Sequence, residues 1–195
     1  MLPKSVTVEQ IDRIAGIPVN RVGSTIQFTA GLMVDADGCP CAYHPDPSKG
    51  LEYLANAGYP NHPEWYKDIL VCDLFGKPVV QGLSDPAPGY FISATALQYA
   101  QYGKRDPRRY VNACTVPFVV LPSVYIHWPG VKLGAKGTVR NAVAGQHVDV
   151  IFADVGPRAQ IGEASIATAA ALGVDSDPKH GGSSRLQFEY TIQLS

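Results

Sequence analysis

Long apolar runs are missing from this sequence. None approaches the ~20 residues needed to cross a bilayer as a helix, so no helical membrane anchor is expected. Charge is sparse too: Asp, Glu, Lys and Arg make up 17% of the 195 residues, against the usual ~25%. A basic surplus is also lacking. The formal net charge is −1, and the basic pairs Lys104-Arg105 and Arg108-Arg109 are split by Asp106-Pro107. That excludes a stripe for a phosphate backbone and leaves nucleic acid out as a partner. Cysteine is limited to four. Cys39 and Cys41 have a single residue between them, a poor spacing for bridging each other, and Cys72 and Cys114 are distant in sequence. No Cys-x2-Cys or Cys/His knuckle occurs, so no metal is expected; buried thiols or one disulfide remain open. The opening stretch MLPKSVTVEQIDRIAG carries acidic residues where a signal peptide has its apolar core. It predicts either a chain not exported by that route or one that starts beyond its leader.

Turn formers and apolar residues are plentiful. Nineteen glycines and sixteen prolines account for 35 of 195 residues, above the usual ~12%, and they are dispersed rather than periodic. Many turns follow, and a long helical bundle, collagen and a coiled coil are excluded. The apolar share is 46%, enough for one domain with a core over residues 1–195.

Periodicity locates the elements. Val8, Ile11 and Ile14 have helical spacing, with Gly16 ending a short helix. Residues 24–38, STIQFTAGLMVDADG, read as strand, turn and strand. Residues 39–63 are rich in turn formers, with a helix candidate over Gly50–Ala55. Short runs at Ile69–Asp73 and Pro78–Gln81 flank Phe75-Gly76-Lys77 as a hairpin, and 91–97 look extended. Val116–Leu121 is a buried strand candidate. Val139 and Val148–Phe152 lie on strands around an Asn141–Gly145 turn. Gly162–Leu172 reads as an Ala-rich helix carrying Glu163 in its first turn. Leu186, Phe188, Tyr190, Ile192 and Leu194 alternate with polar neighbours along a final strand. Seven or eight turn-separated strands without βα alternation predict a mostly β, single-domain antiparallel or mixed barrel with a few short helices.

Two carboxylates stand out. Asp154 ends an apolar strand, and Glu163 follows nine positions later across a Gly/Pro loop, so both can point into one cleft. Paired carboxyls can serve as acid and base for glycoside hydrolysis. The same residues also suit a turn cap and a helix start. Asp35 and Asp37 form an Asp-x-Asp-Gly, but Met33 stands where an EF-hand ligand belongs, so a calcium loop fails. Tyr43, His44, Tyr59, Trp65 and Tyr66 are loop aromatics that could stack on sugar rings or simply pack. Arg108 and Arg109 could orient a carboxylate or lie in solvent. Ser165 lacks a Gly-x-Ser-x-Gly context, which argues against a serine hydrolase.

Longer blocks carry a resemblance. They are Val34-Asp35-Ala36-Asp37-Gly38 with Ala42-Tyr43-His44-Pro45-Asp46, and Leu54-Ala55-Asn56-Ala57-Gly58-Tyr59-Pro60. Next come Gly76–Gln81 with Ser84–Tyr90, and Asp106–Val111. The last are Phe152–Pro157 and Ile161–Ala167. Over about Gly31 to Gly182 the chain resembles the chitosanases of glycoside hydrolase family 75. The resemblance implies an extracellular, endo-acting, inverting hydrolase of β-1,4-linked glucosamine polymers such as chitosan, with no cofactor. It places the catalytic carboxyls on Asp154 and Glu163. The apolar setting of Glu163 among Ile161, Ala164 and Ile166 favours it as acid and Asp154, at the open strand end, as base, an order that stays open. Asp35, Asp37, Tyr43, His44 and Asp46 are then candidates for the substrate groove, where carboxylates would meet the sugar ammonium groups. A monomer with no membrane partner is expected. Asp-Val-Gly followed by Ile-Gly-Glu also resembles, over a shorter stretch, double-psi β-barrel enzymes that cut β-1,4 glycans. That likeness implies a six-stranded barrel and a peptidoglycan-cleaving alternative. A non-catalytic glycan-binding barrel is the third reading.

Overall fold

The computed structural model describes residues 7–195. Residues 1–6, part of the stretch weighed above as a leader, lie outside the described residues. The elements run in the order β1 (Val8–Ile14), β2 (Ile17–Val22), β3 (Thr25–Asp35), α1 (Pro63–Ile69), β4 (Phe118–Pro122), β5 (Lys136–Asn141), β6 (His147–Gly156), β7 (Glu163–Ser165), α2 (Ile166–Ala171) and β8 (Ser183–Gln193). Six of the strands close on themselves in the order β3-β7-β4-β6-β5-β8, with β8 returning to β3. β1 and β2 extend the sheet beyond β3. The expected six-stranded, mostly β single domain is therefore what forms.

Two pairs in the barrel are parallel, β3 with β7 and β4 with β6, and the rest are antiparallel. The pairing scheme maps onto itself when β3, β4 and β5 are exchanged for β6, β7 and β8. Alternation sorts the side chains. Phe28, Leu32, Val34, Val119, Leu121, Phe152, Ala164, Phe188, Tyr190 and Ile192 fill the interior. Phe118, Val120 and Ala153 face outward and pack with Ala36, Cys39, Tyr43, Leu54, Phe91 and Val111. A long excursion between β3 and β4 thus roofs one outer face of the barrel. A Cys39–Cys114 disulfide staples its two ends. Cys41 keeps its thiol, 3.5 Å from the Cys39 sulfur, and Cys72 is also unpaired.

Several local expectations are corrected. Residues 8–14 form a strand, not a helix, because they pair with β2 across the Ala15-Gly16 turn, where both residues take positive φ (49° and 82°). A register shift between Gln10 and Asp12 disturbs the alternation there, which leaves a spacing that imitates a helix. Residues 25–35 are one strand rather than two, since Gly31 is absorbed at a register shift against β8. Gly50–Ala55 is bend and turn, and the helix lies later, at Pro63–Ile69, with Pro63 in its first turn. The Ala-rich helix is shorter than read, Ile166–Ala171, with Ser165 accepting the Thr168 N–H as its cap. Glu163 lies on β7 and not in a helical turn.

Candidate active site

Asp154 and Glu163 flank the same residue. Val120 of β4 pairs with Asp154 of β6 on one side and with Glu163 of β7 on the other. Their Cα atoms are therefore two strand spacings apart, roughly 10 Å, on the outer face that Val120 shares. A bulge makes this possible. Val119 opposes Phe152 and Val120 opposes Asp154, so Ala153 is the extra residue. Phe152 stays inside and Ala153 packs outside; without the insertion, alternation would turn Asp154 into the apolar interior. Glu163 in turn pairs with Met33 in parallel register, which sets Asp35, two residues further along β3, on the same face beside it. Gly162, just before β7, takes φ +93°, and its carbonyl accepts the Met33 N–H at 2.8 Å. A Cβ there would fall 2.7 Å from the Ala30 Cβ, so glycine is required by both conformation and space.

Asp35, Asp37, Asp154 and Glu163 line one cavity of about 880 Å³ together with two further carboxylates, Glu52 and Asp68, and with Tyr43, Asn56, Gln98 and Gln160. Among the described residues, no lysine, arginine or histidine lines it. Asp154 Oδ1 accepts the backbone N–H groups of Ala96 (2.8 Å) and Val155 (2.9 Å). Among the described residues, Glu163 Oε2 accepts only the Gln160 amide, at 3.2 Å. Gly156 makes room for it, since a Cβ there would lie 3.3 Å from that oxygen. Asp35 Oδ1 accepts the Asp37 N–H at 2.7 Å, while its Oδ2 is buried with no partner among the described residues. Asp37 Oδ1 accepts the hydroxyls of Tyr43 (2.9 Å) and Ser93 (3.3 Å).

Burial and mutual repulsion make these carboxyls weak acids. Asp154 is pushed up to about 8, by burial first and then by the charge of Asp35, against the pull of its two backbone N–H donors. Glu163 is also raised to about 8, by burial and then by Asp35 and Asp154. Asp35 rises to about 6, again chiefly through burial. Asp37 is raised well above the ordinary range by burial, Asp35 and Asp154.

Not every candidate converges. His44 and Asp46 do not line the cavity. Asp46 is exposed and accepts the Ser48 N–H and hydroxyl within its own turn, while His44 packs edge-on to Tyr90 at 4.7 Å. The structure does not bring these two side chains into the cavity with the others. Trp65 is exposed and stacks on His62, and Tyr59 packs against Tyr66 and Phe91. Arg108 forms a two-point pair with Asp106. Ser165 is buried and caps α2.

Glu52 is a member that sequence reading missed. It is buried and accepts the Tyr53 N–H and the Asn56 amide. The one signal was a lone acid within an otherwise apolar Leu-Glu-Tyr-Leu run. For a metal, the candidate ligands are Asp35, Asp37 and Asp154, which each offer an oxygen within 4.8 Å of the others. The sulfur cluster of Cys39, Cys41 and Cys114 holds a disulfide, which leaves it one thiol.

Fold and site together define a closed mixed β-barrel with a cation-free cluster of carboxylates on one roofed outer face. No protein-family model matches the chain, and no curated protein sequence matches it.

Proposed function

We propose that the chain is an endo-acting glycoside hydrolase that cleaves β-1,4-linked glucosamine polymers with inversion, as its resemblance to the family 75 chitosanases implies. The observation that carries the reading is the cluster itself. Asp35, Asp37, Asp154 and Glu163 face one cavity without a basic side chain among the described residues of its lining, so a cationic polymer brings the charge the cluster lacks. Sugar ammonium groups do that, and neutral glycans do not.

The roles follow from the surroundings. Glu163, raised to about 8 and holding one weak donor, keeps its proton at neutral pH and gives it to the glycosidic oxygen as the C1–O bond breaks. Asp154 has its Oδ1 occupied by two backbone N–H groups, which favour its ionised form. Its Oδ2 takes a proton from the water that attacks C1 from the opposite face. Bound ammonium groups favour the charged form of both, and the two backbone N–H donors suit Asp154 to the base role. Two strand spacings between the Cα atoms suit the wider carboxyl separation of inverting enzymes, ~6.5–9.5 Å. The Cys39–Cys114 disulfide supports an oxidising, extracellular setting.

The test is incubation with fully deacetylated chitosan and, in parallel, with peptidoglycan. Early viscosity loss, short oligomers and α-anomeric new ends seen by proton NMR are the expected result. Absence of chitosan scission, or first-formed β-anomers, overturns the reading; binding without scission supports a glycan-binding module instead.

A further inference from the structure

Of the cluster, Asp35 is the member whose chemistry is left incomplete. Its Oδ2 is the one buried side-chain nitrogen or oxygen without a hydrogen-bond partner among the described residues. Buried polar atoms are otherwise paired, so this oxygen points to a donor supplied from outside. We propose that Asp35 is the specificity-determining residue of the site, receiving on Oδ2 the C2 ammonium of the glucosamine unit whose C1 undergoes substitution. The proposal rests on the hydrolase reading above and names the subsite within it.

Position and charge both support it. Asp35 pairs with Ser165 two residues beyond the Met33–Glu163 pair, so its carboxylate lies on the face of Glu163. It also presents an oxygen within 4.8 Å of one on Asp154. C2 is bonded to C1, the carbon attacked by water. A carboxylate this close to the base is therefore placed for the substituent next to the reacting carbon. Asp37 stands behind as a second carboxyl, fixed by the Tyr43 and Ser93 hydroxyls and by its own N–H to Asp35 Oδ1. An ammonium brings three donors and a positive charge to these oxygens. An acetamide offers a single N–H and sets a carbonyl oxygen among carboxylates, so an N-acetylated unit is disfavoured at this one position while other subsites remain free to accept it.

The experiment compares wild type with Asp35→Asn, and with the smaller neutral Asp35→Ser should the first variant fail to fold, on fully deacetylated and on half-acetylated chitosan. New reducing ends are identified by mass spectrometry of the products. Wild type is expected to leave glucosamine at those ends. The variant is expected to lose 10- to 100-fold in kcat/KM on the deacetylated polymer, about 1.4 kcal/mol per factor of ten, and to admit N-acetylglucosamine at the new ends. Unchanged end composition and unchanged kinetics overturn the proposal. A wild type that cuts no chitosan sinks the hydrolase reading alone, and titration calorimetry then decides for Asp35. Glucosamine hydrochloride binding to wild type but not to the variant, with N-acetylglucosamine binding neither, supports the amine site. Equal binding to both proteins, or calcium chloride binding in place of glucosamine, overturns it.

Discussion

The barrel and its roof keep their shapes by different physics. Around the barrel, β3 to β8 bury alternate apolar side chains in one interior and satisfy the backbone through a closed ladder. The excursion from Ala36 to Pro117 has one seven-residue helix and isolated bridges. Point contacts hold it instead: the Cys39–Cys114 staple, the Gln81 amide on the Pro40 and Phe91 carbonyls, and the Thr95 hydroxyl accepting the Val111 N–H. The carboxylates lie on the seam. β3, β6 and β7 present Asp35, Asp154 and Glu163, while the roof adds Asp37 and the Ala96 N–H that grips Asp154. A site of this kind borrows rigidity from one region and closure from the other.

The sharpest division of labour concerns the acid pair. Glu163→Gln and Asp154→Asn, both barrel substitutions, should each lower kcat on chitosan by about 10²–10⁴-fold with KM little changed. Residual activity near wild type would place the chemistry elsewhere. Next comes the staple. Replacing Cys39 and Cys114 together with serine should cost about 2–5 kcal/mol, and amides of the roof should lose hydrogen-exchange protection before those of β5 and β8. Equal loss in both would make the two regions one cooperative unit. Smaller again is Gly156→Ala. Its Cβ would stand 3.0 Å from Val120 Cγ1 and 3.3 Å from Glu163 Oε2, and the displaced acid should lose about 10- to 100-fold in kcat without loss of melting temperature beyond a few degrees.

The pH dependence of stability probes the same seam. Asp154 and Glu163 are raised to about 8 and Asp35 to about 6, all above their ordinary values. The folded state therefore binds these protons more tightly than the unfolded chain. That stabilisation is complete below about pH 4 and fades as pH rises to about 8. The ligand-free protein should melt at a lower temperature at pH 8.5 than at pH 5.5, by about 2–4 °C for each kcal/mol involved. Glu163→Gln should reduce the slope; a slope identical to wild type would mean the acid is not raised. The smallest effect is expected at the outer end of the roof. Leu74 and Phe75 are 96% and 95% exposed, so serine at either should change stability by less than about 0.5 kcal/mol in a urea titration.

How much could be read in advance differs between the two regions in the same way. β8 announced itself through Phe188, Tyr190 and Ile192, because a strand that faces one apolar interior must alternate. The roof announced little, since turns and side-chain bridges leave no period, and α1 went unread behind Asn61-His62-Pro63. Glu163 was recognised as a candidate yet given the wrong element. The alanines that follow it have high helix propensity, whereas three residues become β7 only because Met33–Asp35 and Val119–Val120 are there to pair with them.

Composition and alternation alone determined a β-rich chain, its last strand, and acids worth attention at 35, 37, 154 and 163. Tertiary structure decided that these acids meet. The Ala153 bulge turns Asp154 outward, the parallel register of β3 and β7 sets Asp35 beside Glu163, and the roof brings the Asp37 carboxyl and the Ala96 N–H against them. Each of these depends on partners distant along the chain, and a local pattern carries no record of which distant strand will supply the other half of a hydrogen-bonded pair.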